Sequence, residues 1–191
     1  MTDSSSSRTL PPRTPGSPDE ELDLLLREIT ALSGVTRRVT EADLDAALQA
    51  LVREQGVRRA TLWDTPDLTG LRIGARLQAL GVEVVPAGAG KRALAECDLG
   101  VTEVDFALPE TGTLALLSSP QKPRAVSLLP RVHLALLRPA ALRADLHDVF
   151  AEAKNQDYLV FITGPSRTAD IELTLTIGVH GPQALYVWAL P

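Results

Sequence analysis

The most constraining pattern in the chain is an alternation, from residue 57 onward, of short apolar runs with segments of helical periodicity. Strands are predicted for the runs RRATLWD and VEVVP, and the helix predicted between them, LTGLRIGARLQALG, ends at Gly81. Since two parallel strands need a long crossover connection, this alternation is typical of a mainly parallel sheet with helices on both faces. The sequence therefore predicts an α/β fold with three layers, α/β/α.

The alternation changes further along the chain, where the apolar pieces are separated by turns. A hairpin is predicted over DFALPETGTLALL, with its turn at residues 109–112, and VHLALL predicts a buried strand. Pro139 is predicted to begin a helix that continues to roughly residue 153. DYLVFITGP and ALYVWAL predict two more strands. Because ligands of open α/β sheets bind beyond the carboxyl ends of the strands, we expect the loop after DYLVFITGP to lie at such an end.

The chain is predicted to begin with a polar tail and two helices. Ser17, followed by Pro18 and Glu20, has the pattern of a capping box, and a second helix is predicted from Thr40 to Gly56. The residues ahead of the first helix are rich in serine and proline, and we expect them to be disordered. The predicted segments are a tail over 1–17, N-terminal helices over 18–56 and an α/β domain over 57–191, with 18–191 as one structural unit.

Composition and charge argue against several classes of protein. The chain has 19 Lys and Arg against 24 Asp and Glu, a net charge of −5 that argues against nucleic-acid binding. The single cysteine, Cys97, excludes an intrachain disulfide and any cysteine-held iron–sulfur cluster or zinc finger, and it favours a reducing, cytoplasmic compartment. His133, His147 and His180 do not have metal-site spacing. No apolar run is long enough to insert into a membrane.

The loop in FITGPSRTADIE has the residue types of an anion site. Gly164 allows a ligand to approach the backbone closely, because it has no Cβ. The hydroxyl and amide groups of Ser166 and Thr168, beside the Arg167 guanidinium, are donors that suit a phosphate or a carboxylate. The same residues fit a helix cap equally well, with Asp170 near the N-terminus of a short helix.

Two further polar stretches carry groups suited to proton transfer or covalent chemistry. In GVHGP, His180 suits a proton carrier or an anion donor, and a single apolar element separates it from Glu172. In PETGTL, Glu110 is a candidate nucleophile or base, beside small hydroxyl residues that suit an anion. The alternative for each stretch is an ordinary turn, in which the histidine bonds the backbone or the glycine supplies a positive φ.

The stretch PRAVSLLPRVHLALL adds three polar residues at or near a predicted buried strand. Arg124 is the best placed of them to face a bound anion, and Ser127 is a further candidate. We expect His133 to be a core or edge histidine with its hydrogen bonds satisfied, and Cys97 to be a buried, unreactive thiol.

Taken in order, DFALPETGTLAL, RAVSLLPRVHLALL and ITGPSRTADIELTLTIGVHGP resemble the LUD-domain family, and within it the lactate-utilisation protein C branch. The resemblance covers residues 57–191 and, more loosely, the two N-terminal helices. It implies the fold of the sugar-phosphate isomerase and coenzyme A transferase superfamily, which agrees with the predicted α/β/α layers. It also implies a role in bacterial oxidation of L-lactate to pyruvate, with iron–sulfur clusters in partner proteins and no cofactor in this chain.

The resemblance further implies a pocket, built from four loops, for a small anionic ligand. The family's motif positions in this sequence are Thr111, Gly112, Thr113, Arg124, Ser127, Gly164, Ser166, Arg167, Thr168, Asp170, Glu172, His180 and Gly181. Coenzyme A transferases of the superfamily use the glutamate of a Glu-Asn-Gly turn as nucleophile, and Glu110-Thr111-Gly112 is similar except for its threonine. The catalytic candidates are Glu110, Glu172 and His180.

Three functions fit these features. The first is a component of a lactate-oxidising system that binds an anion and works with iron–sulfur lactate-utilisation proteins. The second is a free-standing enzyme of coenzyme A transferase or sugar-phosphate isomerase type, with Glu110 or Glu172 as nucleophile or base and His180 assisting. The third is a regulatory or binding module for iron–sulfur partners. Whether the chain catalyses a reaction by itself, and whether it forms a homo-oligomer, stays open at this level.

Overall fold

The fold was obtained as a computed structural model, which describes residues 15–156, 158–169, 175–177 and 180–191. The helices are α1 (Pro18–Ala31), α2 (Leu44–Gln55), α3 (Pro66–Gly70), α4 (Ile73–Ala79), α5 (Lys91–Ala95), α6 (Ala125–Leu128) and α7 (Leu146–Ala153). The strands are β1 (Val35–Arg38), β2 (Arg59–Leu62), β3 (Glu83–Pro86), β4 (Leu99–Glu103), β5 (Phe106–Leu108), β6 (Thr113–Leu117), β7 (Val132–Leu137), β8 (Leu159–Ile162), β9 (Arg167–Ala169), β10 (Leu175–Ile177) and β11 (Ala184–Ala189).

A six-stranded parallel sheet forms the centre of the molecule, in the order β1-β11-β7-β4-β2-β3. Its central strand β7 is buried along its whole length, as expected of a parallel strand covered on both faces. Helices flank this sheet, so the predicted α/β fold with a mainly parallel sheet is confirmed. The strands predicted over RRATLWD, VEVVP, VHLALL and ALYVWAL all belong to it.

A second, antiparallel sheet has the order β5-β6-β8. It contains the predicted hairpin, whose turn is a 3-10 turn at Pro109–Thr111 followed by Gly112 in the left-handed conformation. The strand predicted from DYLVFITGP is β8, which pairs with β6 and not with the central sheet. The expected position of the loop that follows β8 was therefore wrong. This loop bonds the residues just before β11, and so it lies at the amino end of the central sheet.

The N-terminal helices form as predicted, with one addition. The Ser17 hydroxyl accepts from the Glu20 amide, and the Glu20 carboxylate accepts from the Ser17 amide at 2.8 Å, which completes the capping box. Gly56 ends α2 in the left-handed conformation, at φ 57°. Strand β1 lies between the two helices and was not predicted. It pairs with β11 at the edge of the central sheet, where its sequence, VTRR, is mostly exposed.

Two predicted helices are shorter than expected. The segment 68–81 does not form one helix, because Arg72 adopts a left-handed conformation (φ 54°) between α3 and α4. Pro139 begins only a 3-10 turn, and α7 starts later, where the Asp145 carboxylate accepts the amides of His147 and Asp148. Local caps and turns divide these segments into short elements.

One continuous hydrophobic core contains side chains of α1 and α2 together with those of the central sheet. Leu25, Leu48 and Leu134 are each fully buried in it. Cys97 is buried as well, and burial raises the pKa of its thiol. Within the part of the chain that the structure describes, no helix is long and apolar enough to cross a membrane.

The Asp98 carboxylate joins the amino ends of three central strands. It accepts the amides of Arg58 and Arg59 at 2.8 and 3.1 Å and the Arg131 guanidinium at 3.2 Å. Burial alone would raise the pKa of Asp98, but these hydrogen bonds outweigh it and hold the pKa below its ordinary value. Asp98 therefore holds the amino ends of β2, β4 and β7 together.

We expect Asp98→Asn to lower the free energy of unfolding by about 1–3 kcal/mol at pH 7, because charge-assisted hydrogen bonds are lost. A carboxyl whose pKa is lower in the folded state stabilises above its unfolded pKa, about 3.9. The difference between wild type and variant should thus shrink as the pH falls below about 4. Urea unfolding at pH 7 and pH 3 measures it, and a difference that does not change with pH would contradict the assignment.

Candidate functional site

A cavity of about 290 Å³ lies over one face of the central sheet, near its amino end. Its floor includes His133 of β7 and Leu185 of β11, which are paired neighbours and therefore point to the same face. Ser127 of α6 lines one side. The remaining walls come from β8 with the loop that follows it, and from the segment 180–182 ahead of β11.

Helix α6 packs close to this face of the sheet because Gly100 of β4 has no side chain. A Cβ on Gly100 of β4 would lie 1.9 Å from the Val126 carbonyl oxygen. Because glycine leaves that space open, α6 packs against the backbone of β4 and brings the buried Ser127 to the cavity. The Ser127 hydroxyl donates to the Arg124 carbonyl at 3.0 Å, and its oxygen keeps the capacity to accept.

The loops after β8 and before β11 are joined to each other. The Ser166 amide donates to the Pro182 carbonyl at 2.9 Å, and a Cβ on Gly181 would lie 3.1 Å from the Ser166 Cβ. Gly164 has a φ of 82° and packs against Leu32, at the C-terminal end of α1. The two glycine-containing motifs of the sequence therefore form neighbouring walls of one cavity.

The PETGT turn reaches the same region through its threonines. The Thr113 and Thr163 hydroxyls are 2.9 Å apart, and Thr111 donates to Thr113 at 2.8 Å. Glu110 is exposed and lines a second, more apolar cavity of about 700 Å³ together with Phe150. Thr163 lies at the boundary of the two cavities, since it lines both.

Arg167 lies at the rim of the smaller cavity, and one nitrogen of its guanidinium bonds the end of α1. Its Nη2 donates to the Leu32 carbonyl at 2.6 Å and to the Ser33 hydroxyl at 2.7 Å. This contact satisfies a carbonyl at the C-terminal end of α1, where a positive charge is favourable. Arg167 therefore connects the loop to α1 while it contributes positive charge to the rim.

The prediction that Arg124 faces the anion is wrong. Its guanidinium lies over the ring of Tyr158, 4.3 Å from the ring centre, and Arg124 does not line the cavity. This cation–π contact holds the Arg124 side chain against Tyr158, which is itself half exposed and comes just before β8. Arg124 is therefore an exposed surface arginine.

His133 is the site residue that sequence reasoning missed. It is 1 % exposed, its Nε2 is 2.9 Å from the Thr102 hydroxyl, and its Nδ1 has no hydrogen-bond partner among the described residues. Burial lowers the pKa of His133 to about 3, so the ring is neutral at pH 7. A histidine in an apolar strand pattern carries no sign in the sequence that it borders a cavity, because the cavity is made by distant segments.

Six of the sequence-predicted residues line the same cavity: Ser127, Gly164, Ser166, Arg167, His180 and Gly181. Thr113 joins its boundary through Thr163, and Thr111 and Glu110 line the neighbouring cavity. Thr168 belongs to β9, but its side chain is not among those that the structure describes. Asp170 and Glu172 lie outside the described residues, and with them the predicted convergence of Glu172 with His180.

The lining of the smaller cavity favours an anion. Its described residues provide serine and threonine hydroxyls, one guanidinium and two histidines, and none of them is a carboxylate. Neutral donors together with a positive rim suit a small carboxylate or phosphate. Nowhere in the described ranges do three His, Cys, Asp or Glu side chains come together in a way that would hold a metal ion.

Comparison with known proteins gives consistent matches. The LUD domain family model matches residues 27–190. The chain is 31% identical over 182 residues to a protein named lactate utilization protein C from Shouchella clausii, covering 90% of this chain and 80% of that protein. A protein of the same name from Halalkalibacterium halodurans is 31% identical over 183 residues, with the same coverage.

A solved structure supports the fold. The crystal structure of a duf162 family protein from Deinococcus radiodurans superimposes with a TM-score of 0.66, covering 93% of this chain and 100% of that chain. The sequence identity is 21%, so the likeness concerns the fold alone.

Proposed function

Because the chain belongs to the LUD-domain family, we propose that it serves in bacterial lactate utilisation, as a component that binds a small carboxylate. The redox step is assigned to iron–sulfur partner proteins, and no cofactor is assigned to this chain. The names of the relatives from Shouchella clausii and Halalkalibacterium halodurans support the link to lactate. The observation that carries the proposal is the cavity of about 290 Å³ with a hydroxyl-rich, carboxylate-free described lining.

The lining of the cavity supports a small carboxylate as the ligand. Ser166 lines the cavity with a hydroxyl that can donate to a ligand, and the Arg167 guanidinium adds positive charge at the rim, whereas the Ser127 hydroxyl already donates to the Arg124 carbonyl. A carboxylate that accepts from these donors would replace hydration by charge-assisted hydrogen bonds. The two loops that carry Ser166 and Gly181 are already bonded to each other, so little ordering of this wall is needed on binding.

Calorimetric titration of the purified chain with L-lactate, pyruvate and propionate tests the proposal. We expect all three acids to bind, and we expect Ser166→Ala to weaken each of them about fivefold through the loss of one hydrogen bond. Ser119→Ala is the matched control, because Ser119 is an exposed serine that does not line the cavity. If none of the acids binds the wild-type chain, the proposed function is wrong.

The role in the cell has its own test. Deletion of the gene should abolish growth on L-lactate as the carbon source, and the wild-type gene should restore it. A Ser166→Ala gene should restore growth less well than a Ser119→Ala gene. Growth of the deletion strain at the wild-type rate would contradict the assignment to lactate utilisation.

A further inference from the structure

The larger cavity, of about 700 Å³, is an apolar groove that the described residues leave open. We propose that it binds the segment LPPR, residues 10–13, of the same chain, with Leu10 and the two prolines on its aromatic side chains and Arg13 at its acidic rim. Residues 1–14 lie outside the described residues, and what supports this segment is its sequence and the course of the chain that follows it. The inference does not depend on the proposed function, because it concerns the neighbouring cavity.

The floor of the groove is one face of the antiparallel sheet. By the register of β5, β6 and β8, the side chains of Leu108, Thr113 and Phe161 lie on the same face. Helix α7 covers only part of that face, where Val149 is fully buried against it. At the side of the groove, the rings of Phe150 and Phe161 meet edge to face, with their centres 5.9 Å apart. The sheet face is therefore open beside the first turns of α7.

The exposed surface of the groove indicates what kind of occupant it takes. Leu146, Phe150 and Phe161 are 47%, 55% and 39% exposed, and contiguous exposed apolar surface is typical of binding sites. The acidic side chains of the lining are Glu110 and Asp145, and no Lys or Arg is among the described lining residues. Asp145 already accepts the first amides of α7, so an anion would meet a carboxylate there. A fitting occupant is apolar and carries positive charge.

The segment LPPR has both properties. Leu10, Pro11 and Pro12 are apolar, and Arg13 carries a positive charge. Proline-rich segments bind aromatic-lined grooves well, because their polyproline II conformation is already restricted and little entropy is lost on binding. The charged side chains of residues 1–14 are two arginines and one aspartate. The charge of the segment therefore complements that of the groove.

The described chain begins on the side of α1 that faces the groove. The Gly16 amide donates to the Glu21 carboxylate at 2.6 Å, so the chain ahead of α1 is folded back on its first turn. Glu21 and Glu28 are seven residues apart, and so they share a face of α1 at a separation of about 10 Å along its axis. The backbone of Glu28 packs against the PETGT turn, whose Glu110 lines the groove. Since an extended segment advances about 3.1 Å per residue, Arg13 can lie about 9 Å from Gly16 and reach Glu110.

A nitroxide on residue 9 tests this placement in the chain of 191 residues. A Thr9→Cys variant can be labelled selectively, because the native Cys97 is buried. In the ¹⁵N spectrum, we expect the amide signals of Phe150 and Phe161 to lose most of their intensity, while that of Ala79 in α4 keeps its intensity. Undiminished signals of Phe150 and Phe161 would overturn the inference.

A mixed sample shows which molecule supplies the segment. Nitroxide-labelled protein without ¹⁵N is mixed with unlabelled ¹⁵N protein in equal amounts. If the groove binds the segment of its own chain, the ¹⁵N signals keep their intensity in this mixture. Loss of the Phe150 and Phe161 signals in the mixture would mean that a second copy supplies the segment, and the inference would be wrong.

Reversal of charge tests the contact at the rim, in the same nitroxide-labelled chain. Arg13→Glu and Glu110→Arg should each lower the ratio of bound to released segment about fivefold, seen as recovery of the Phe161 signal, and the two together should restore binding. Arg8→Glu is the matched control, since it makes the same change of charge outside LPPR, and its effect should be less than about twofold. The inference fails if the double reversal does not restore binding, or if Arg8→Glu releases the segment as fully as Arg13→Glu.

Discussion

Gly100→Ala is expected to lower the free energy of unfolding by about 3 kcal/mol or more, because the added methyl has no space. The new Cβ would lie 1.9 Å from the Val126 carbonyl oxygen and 3.0 Å from the Val126 carbonyl carbon. These are backbone atoms, so they cannot turn away as a flexible side chain would, and α6 would have to move off β4. Ser127 would move with the helix, and the affinity for L-lactate should fall as well.

Urea unfolding measures this loss, and Gly74→Ala is the matched control. Gly74 lies in α4, and the atoms nearest to its added Cβ are Leu62 methyl groups at 3.8 and 3.9 Å, an ordinary contact distance. Alanine is favoured over glycine in a helix, so this control should be neutral or stabilising by about 0.5–1 kcal/mol. An equal loss in both variants would show that the close approach of α6 is not the cause.

Gly112→Ala is expected to lower the free energy of unfolding by about 2–3 kcal/mol and to weaken ligand binding. Two costs combine at this position. Gly112 has a φ of 60°, which alanine rarely adopts, and its Cβ would lie 2.9 Å from backbone atoms of Glu28 and Ile29 in α1. The PETGT turn would have to move away from α1, and the contact between the Thr113 and Thr163 hydroxyls would be stretched.

Gly56→Ala separates the two costs. Gly56 has a similar φ of 57°, but nothing lies within 4 Å of its added Cβ. This control should lose only the conformational part, about 1 kcal/mol, and it should keep the affinity for L-lactate. A Gly112→Ala variant that is no less stable than Gly56→Ala would mean that the turn does not depend on its contact with α1.

The elements that were predicted correctly depend on local chemistry. The capping box at Ser17 and the left-handed glycine that ends α2 involve residues within a few positions of each other, and the sequence contains the whole interaction. The same holds for the β5–β6 hairpin, whose turn is made by Pro109 and Gly112. The fold class follows from the alternation of strands and helices, which is a property of the whole chain.

The errors concern pairing between distant segments. β1 was missed because VTRR is short and polar, and it becomes a strand only through its pairing with β11. β8 has the apolar pattern of a central strand, yet it pairs with β6 in the second sheet. Periodicity predicts that a strand exists, but it does not select the partner strand. The position of the following loop was wrong for that reason.

The sequence motifs and the individual side chains differ in how far they could be followed into the structure. Ser166, Gly181 and Ser127 line one cavity, and their role in binding an anion stays a prediction. The roles of the two arginines could not be predicted, since Arg124 contacts an aromatic ring and Arg167 also caps α1. His133 was missed because its unpaired nitrogen becomes apparent only when the strands on both sides of it are in place.

The position of β11 between β1 and β7 has a consequence for the order of folding. β1, near the start of the chain, has no neighbour in the sheet until β11 is in place, and Gln55 bonds Tyr186 across a separation of 131 residues. Contacts of such high sequence separation carry a large entropic cost of loop closure and form slowly. During synthesis on the ribosome, β1 must therefore stay unpaired until β11 has emerged, whereas α1 can pack earlier against the PETGT turn. Unpaired strand edges are prone to aggregation, so this interval is the one in which the edge of β1 is open to wrong pairing.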